Sequence, residues 1–279
     1  MKPIRTPADH QSAVAALVRS VQANPALATQ IADIEQVLRF ELQHGTPEFE
    51  CLRARLMADS APLAQRIAII SDIHGNHAGL MAALEDIDAQ RCDRIVCLGD
   101  LVEGGPDHEQ VIATLKARQI PCVCGNHDEI NDLALSASAR QFLSELPPYL
   151  MEGNLLFVHI SSRAKKRPVD STIEAWNVLD EPGAWLSFVG HVHVPRIFGK
   201  RSVSSGEATL HRFEYNQPFA LDVNDRYVVS VGAIGYGRDQ VGRIRYCIFD
   251  RAAASIEVRS IAGPLLPLDY ALRQPWPIQ

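Results

Sequence analysis

Five short clusters of polar, metal-compatible side chains recur along this chain, each directly after a run of strand-forming residues. They are Asp72-Ile73-His74, Gly99-Asp100, Gly125-Asn126-His127-Asp128, Val158-His159 and Gly190-His191-Val192-His193. The runs before them, such as Ile67-Ala68-Ile69-Ile70 and Arg94 to Leu98, are short and apolar enough to be buried strands. Apolar residues at helical spacing fill Ala78 to Ala89 and Asp107 to Arg118, and a third strand is expected over Ile120 to Cys124. That β-α-β-α-β rhythm calls for parallel strands joined by right-handed crossovers. In an open α/β sheet, ligands bind beyond the carboxyl ends of the strands. All five clusters are therefore expected to face one crevice.

Further along, a helical stretch is expected around Ser136 to Leu146, and then the pattern turns to strands. These are Leu155 to Val158, Trp185 to Val189, Glu207 to Tyr215, Tyr227 to Val231, Arg243 to Phe249 and Ser255 to Ile261. Asn224-Asp225 and Asp250-Arg251 have the composition of hairpin turns. The expected fold is a layered α/β domain over residues 63–279 with a mixed or two-sheet core. Residues 1–62 read differently, as a helical N-terminal extension. Thr6-Pro7, Asn24-Pro25 and Thr46-Pro47 each pair a helix N-cap with a proline at the first helical position, and apolar residues follow at helical spacing. Such stripes need a surface to cover, either the following domain or a second copy of the chain in a homo-oligomer formed through these helices.

Composition narrows the partners. Twenty-seven Lys and Arg against 33 Asp and Glu give a net charge of −6, which disfavours broad binding to nucleic acid or an anionic membrane. No stretch approaches the ~18 apolar residues of a membrane span, and Met1 to His10 holds no apolar core of a secretory signal. Six cysteines without a C-x-x-C pair read as reduced thiols of a cytoplasmic protein.

Five of the ten histidines lie in the strand-end clusters. With Asp72, His74, Asp100, Asn126, His159, His191 and His193, the clusters supply seven ligand side chains. One metal cannot use seven and keep a position open for chemistry. Two metals with about four each need one shared ligand, most simply a bridging carboxylate. Imidazole, carboxylate and carboxamide without thiolate suit Mn²⁺, Fe or Zn²⁺ better than Ca²⁺ or copper. Two such ions form a clamp for in-line displacement at phosphorus. Arg163, Lys165, Lys166 and Arg167 are the densest basic run, and Arg163 and Arg238 are candidate contacts for a phosphate-bearing substrate.

In order, D-x-H, G-D, G-N-H-D, a strand-end His and G-H-x-H resemble the calcineurin-like metallophosphoesterases, over roughly Arg66 to Ile261. The resemblance implies two packed mixed sheets, a β-sandwich core flanked by helices. It implies a phosphoric ester hydrolase using two divalent transition metal ions, Mn foremost with Fe or Zn as alternatives, and a metal-bridging hydroxide as nucleophile. By the same resemblance Asp72, His74 and His193 hold one metal, Asn126, His159 and His191 hold the other, and Asp100 bridges them. His127 resembles the family's histidine that protonates the leaving oxygen, with Asp128 orienting it. The run Gly99 to Asp107 lacks the Arg of the protein phosphatases and is similar to the small bacterial and archaeal phosphodiesterase branch. Gly75-Asn76 and Ser230 to Asp239 are similar to that branch too, and Asn76 joins Arg163 and Arg238 as a candidate substrate contact. Glu103, an acidic group, and Ile160, where a small residue is usual, depart from the pattern. The resulting expectation is a phosphodiesterase acting on a small phosphorylated substrate. The alternatives are a phosphomonoesterase or nucleotide pyrophosphohydrolase on the same site, or a non-catalytic metal-binding scaffold for protein partners.

Overall fold

In β1 (Arg66–Ile70) the side chains of Ile67, Ala68, Ile69 and Ile70 are all fully buried. Successive residues of a strand point to opposite faces. Ile67 and Ile69 enter one hydrophobic core and Ala68 and Ile70 another, so this strand needs a covering layer on each side. The computed structural model that shows this describes residues 65–181, 183–200, 206–240, 242–264 and 266. The helices expected over residues 1–62 lie outside the described residues.

Two sheets form the core of the described residues. In the first, β1 pairs parallel with β2 (Arg94–Cys97) and antiparallel with β10 (Arg243–Asp250). Antiparallel pairing then adds β11 (Ser255–Ala262) and β8 (Pro218–Ala220). In the second, β4 (Leu155–Val158), β5 (Leu186–Val189) and β9 (Tyr227–Ser230) run parallel. Its antiparallel members are β3 (Tyr149–Glu152) beside β4, and β6 (Arg196–Gly199) with β7 (Thr209–His211) beside β9. Between the sheets Ile67, Ile69 and Val96 meet Leu155, Phe157, Leu186 and Phe188, and the rings of Phe157 and Phe188 stack 5.5 Å apart.

Helices cover the outer faces. On the first sheet lie α1 (His77–Ala89), α2 (His108–Ala117) and α4 (Ala137–Ser144), which bury Leu80, Leu84, Val111, Leu115 and Leu143 against Ile70 and Tyr246. On the second lies α5 (Thr172–Asp180), whose Ala175, Val178 and Leu179 pack on Leu156, Val158 and Val228. Each fully buried leucine contributes about 1.5–3 kcal/mol. The single-turn helix α3 (Asn126–Glu129) belongs to the crevice. The expected two-sheet α/β core flanked by helices is what the chain forms. Among the described residues no helix is long and apolar enough to cross a membrane.

Some expected elements change. The strand over Ile120 to Cys124 reduces to a single parallel bridge between Cys97 and Cys122. Pro121 has no N–H to continue a ladder, and the Cys124 N–H turns away to the Pro147 carbonyl at 2.8 Å. Glu207 to Tyr215 keeps strand structure only at Thr209–His211. Asn216, at φ 61°, donates its N–H to Val258 at 2.9 Å, so the chain crosses to the other sheet there. Asp250-Arg251 does begin the β10–β11 hairpin turn. Asn224-Asp225 does not make a hairpin, because the strands either side of it, β8 and β9, sit in different sheets.

Candidate metal centre

Parallel pairing of β1 with β2 and of β4 with β5 brings their carboxyl ends to a common edge of each sheet. Backbone hydrogen bonds tie the segments that follow. Asp72 N–H donates to Gly99 (3.0 Å), His74 N–H to Asp100 (2.9 Å) and Gly190 N–H to His159 (2.8 Å). Asp72, His74, Asp100, His191 and His193 all hold left-handed backbone, with φ of 54°, 52°, 53°, 65° and 62°. Non-glycine residues rarely adopt it, and each such residue stores roughly 1–3 kcal/mol that surrounding structure must hold in place. Strain concentrated on five of the seven expected ligands marks the region as functional.

The two motif glycines answer a packing need. A Cβ on Gly125 would lie 2.2 Å from Asp100 Oδ1, and one on Gly190 would lie 2.1 Å from Ser71 Oγ and 2.7 Å from Asp72 Oδ2. Any side chain there would displace a carboxylate.

Three imidazoles are oriented by the backbone. Nδ1–H of His74 donates to the Glu103 carbonyl (2.6 Å), that of His159 to Leu98 (2.8 Å) and that of His193 to Tyr236 (2.9 Å). A carbonyl only accepts, so in the neutral ring each Nε2 carries the lone pair. These Nε2 atoms then converge. Those of His74 and His193 are 3.2 Å apart, and His193 Nε2 is 3.1 Å from Asp72 Oδ1. His159 Nε2 lies 3.1 Å from Asp100 Oδ2 and 3.1 Å from Asn126 Oδ1, while His191 Nδ1 is 2.9 Å from the same Asn126 oxygen. Lone pairs facing one another at such distances are unfavourable unless a cation lies among them, and the N/O donor set is one that divalent transition metals accept.

Two groups hold the expected ligands, Asp72 with His74 and His193, and Asp100 with His159 and His191, and a third brings His127 together with His74 and Asp100. Asp100 Oδ2 also lies 3.7 Å from His74 Nε2, within reach of both. The charge states suit metal binding. Burial works to raise the Asp72 carboxyl, but His193 beside it brings it down to about 2. Burial opposes ionisation of Asp100 as well, and His159, His74 and His127 overcome it and hold it far below the usual range. Burial lowers His74 to about 4 against the pull of Asp100, and lowers His191 to about 4 with help from His159. Burial also acts to lower His159, yet the charge of Asp100 carries it up to about 9, so a proton there takes the place a cation can fill. Ionised carboxylates and neutral imidazoles are the forms that ligate.

All seven expected ligands therefore meet in one crevice, while the other expected site residues are redistributed. His127 stands over the centre, with its N–H donating to Asp100 Oδ1 (3.0 Å) and its ring edge-on to His74 at 5.1 Å. Asp128 does not orient that ring. Its buried carboxylate accepts from the backbone N–H groups of Asp100 (2.8 Å), Gly125 (2.9 Å) and Leu101 (2.8 Å), which fixes the loop instead. Burial, then the Asp100 charge, pushes the Asp128 carboxyl up to about 6. The carboxylate on His127 Nδ1 is Glu103, whose carbonyl also fixes His74. Sequence reasoning noticed Glu103 only as an acidic departure. Its position three residues after Asp100, on the same loop, was the available signal.

Asn76 is a structural residue. Its oxygen accepts from Gly79 N–H (2.9 Å) to cap α1, and its amide donates to the carbonyls of Gly235 (3.2 Å) and Pro264 (3.3 Å). With both polar atoms taken and the side chain buried, it has nothing to offer a substrate. Arg163 turns away too, donating to Glu181 at 2.8 Å. Arg238 remains at the rim. Its N–H donates to the His193 carbonyl (3.1 Å), and its guanidinium lies 5.8 Å from the Tyr236 ring, which packs on His193 at 4.6 Å. Tyr236 was not singled out from sequence. Its contribution is a backbone carbonyl and a ring face, which side-chain chemistry alone does not announce.

Comparison with known proteins places this geometry. Residues 66–251 match the profile of the calcineurin-like phosphoesterase superfamily domain. A metallophosphoesterase from Sphaerobacter thermophilus of known structure is 30% identical, with a TM-score of 0.63 over 71% of this chain and 89% of that one. The protein MJ0912 of Methanocaldococcus jannaschii is 28% identical over 223 residues, 69% of this chain and 85% of that protein. The protein PH1004 of Pyrococcus horikoshii shares the fold at 16% identity, with a TM-score of 0.53 over 75% of this chain and 91% of that one.

Proposed function

Because the chain belongs to the calcineurin-like phosphoesterase superfamily, whose members are metal-dependent phosphoester hydrolases, we propose that it is a two-metal phosphodiesterase. Asp72, His74 and His193 would hold one ion and Asn126, His159 and His191 the other, with Asp100 as the ligand within reach of both. The observation that carries this reading is the position of Asp100 Oδ2, 3.1 Å from His159 Nε2 and 3.7 Å from His74 Nε2, between the two groups. Two divalent transition metal ions bound there, Mn²⁺ foremost, would supply Lewis-acid charge and lower the pKa of water for hydrolysis at phosphorus.

The chain's own residues supply the rest. His127, with Nδ1 held by Glu103, keeps Nε2 for the departing oxygen and protonates it. Glu103 fixes that ring as a carboxylate fixes a catalytic imidazole. Arg238 at the rim offers charge to a non-bridging oxygen. A carboxylate this close to the centre repels a dianionic monoester more than a monoanionic diester, which favours the diester. Five cysteines among the described residues are free thiols, which suits the reducing cytoplasm.

The test is metal removal. Chelated protein freed of transition metal should be inactive, and Mn²⁺ should restore hydrolysis of an aryl phosphodiester. Full activity in chelator, with no transition metal by elemental analysis, would refute the two-metal reading.

A further inference from the structure

One short loop, Ile234 to Arg238 after β9, reaches every ligand of one metal group. Gly235 N–H donates to the Asp72 carbonyl (2.7 Å) and Ile234 N–H to the Ser71 carbonyl (3.0 Å), which lays the loop against the segment bearing Asp72 and His74. The approach is close. A Cβ on Gly235 would lie 2.6 Å from the Ile73 carbonyl oxygen and 3.0 Å from His74 Cβ. Further along, the Tyr236 carbonyl accepts from His193 Nδ1–H (2.9 Å), and Arg238 N–H donates to the His193 carbonyl (3.1 Å).

The Tyr236 ring adds a second kind of hold. It lies 5.2 Å from the His74 ring and 4.6 Å from the His193 ring, and those two imidazoles are 5.0 Å apart. Three flat rings at such separations pack on one another, so the tyrosine ring limits how either imidazole can turn. That limit matters because a single Nδ1–H bond lets an imidazole rock, and rocking swings the Nε2 lone pair out of line. The other group is held by different parts. The rings of His159 and His191 meet edge-on at 5.4 Å, His159 Nδ1–H donates to Leu98 just after β2 (2.8 Å), and Asn126 begins α3. None of these holds runs through the loop after β9.

We infer that Tyr236 is a positioning residue for one ion only, its ring bracing His74 and His193 so that the ion they would share with Asp72 meets ligands already in place. The inference rests on the two-metal reading and adds to it that the two ions have separate supports.

The experiment counts metal on the full chain. Unaltered, Tyr236→Phe and Tyr236→Ala proteins are loaded with Mn²⁺, dialysed and assayed by elemental analysis, and affinities are measured by calorimetry on chelated protein. Tyr236→Ala should weaken one ion by ~10–100-fold, the usual effect of removing a group that orients a metal-bound histidine, and spare the other. Tyr236→Phe keeps the ring and should match the unaltered chain. Two backgrounds identify the ion. His191→Ala keeps the backbone N–H that donates to Asp72 Oδ2 at 3.0 Å, so its remaining ion sits with His74 and His193, and adding Tyr236→Ala should weaken it. In His193→Ala the remaining ion sits in the other group, and adding Tyr236→Ala should change its affinity by under ~2-fold, as for independent sites. Equal weakening in both backgrounds, which general loosening of the fold would give, overturns the inference. Two ions held by Tyr236→Ala at unaltered affinity overturn it as well, and so does a Tyr236→Phe protein that behaves like Tyr236→Ala. Should Tyr236→Ala not fold by circular dichroism, Tyr236→Leu, which has bulk without a flat ring, is read by the same outcomes. An unaltered chain that binds fewer than two ions refutes the two-metal reading itself, and the inference with it.

Discussion

Arg245 and Asp100 are both charged side chains buried in this protein, and their surroundings differ in kind. Around Arg245 every polar group has an answer. Its Nε donates to Asp239 Oδ2 (2.9 Å), Nη1 to Ser260 Oγ (2.6 Å) and Nη2 to Asp239 Oδ2 (2.8 Å) and Gln240 (3.3 Å). The Tyr215 ring lies against it at 4.3 Å and the Tyr215 hydroxyl donates to the same Asp239 oxygen (2.7 Å). One cation meets one anion, and the cluster is closed. Around Asp100 the arrangement has an excess of acceptors. Two carboxylates and five imidazoles crowd together, and the Nε2 atoms of His74 and His193 face each other at 3.2 Å. A closed buried cluster is a structural device, whereas an open one of this composition is a receptacle for cations.

Substitution separates the two. Asp100→Ala should be the most damaging change to activity, because it removes the carboxylate within reach of both ligand groups. We expect at least the ~10³-fold loss in kcat known for removal of a single transition-state contact, together with loss of bound metal. An Asp100→Ala protein that retains two tightly bound ions would break the contrast at its centre.

His127→Ala comes next. It should keep its metal yet lose ~10²–10⁴-fold in kcat, as expected for a general acid. The loss should shrink with leaving groups that need no proton. Glu103→Ala should reproduce a milder form of this, ~10–100-fold, with Glu103→Gln closer to the parent because it can still accept from Nδ1–H. Metal loss in His127→Ala, measured by elemental analysis, would reassign that ring as a ligand.

Opening the closed cluster should instead act on stability. Arg245→Ala removes the cation facing Asp239, which keeps only the Tyr215 hydroxyl, and should cost about 3–5 kcal/mol in chemical denaturation. That cost should be the same in chelated and Mn²⁺-loaded protein. A cost that appears only with metal bound would mean that the two clusters are coupled.

The smallest effect belongs to an exposed pair. Arg118 donates to Asp88 through two hydrogen bonds of 2.9 Å and holds its carboxyl below the ordinary value. A lowered acid contributes stability above its ordinary range and loses it as pH falls through the lowered value. Solvent screens this pair, so Asp88→Asn should change stability by under about 1 kcal/mol at pH 7, and by less still in strong acid.

Much of the centre was legible from sequence because its chemistry is carried by side-chain type. Asp72, His74 and His193 cannot be mistaken for core residues, and the apolar runs that precede them place them at strand ends. α5 was legible and went unread, since Ser171 with Glu174 three residues later is a helix-start signature, and Ser171 does cap Glu174 N–H at 3.3 Å. The strands β6 and β8 were not legible. They have four and three residues, too few for alternation to stand out from a loop.

From sequence alone, then, came the identity of the clustered Asp, His and Asn side chains, their position after strands, and a two-sheet core that could bring them to one edge. These follow from residue chemistry and local periodicity. The partners of the remaining polar groups were decided only in three dimensions. Glu103 reaches His127 across 24 residues and Asn76 reaches Pro264 across 188. Asp128, next in sequence to His127, spends its carboxylate on backbone N–H groups of the loop after β2. A hydrogen bond requires an acceptor within about 3 Å in the right direction, and many acceptors qualify by type. Packing of the two sheets selects among them, because it sets which loops touch, and each buried donor then takes the acceptor that is left within reach.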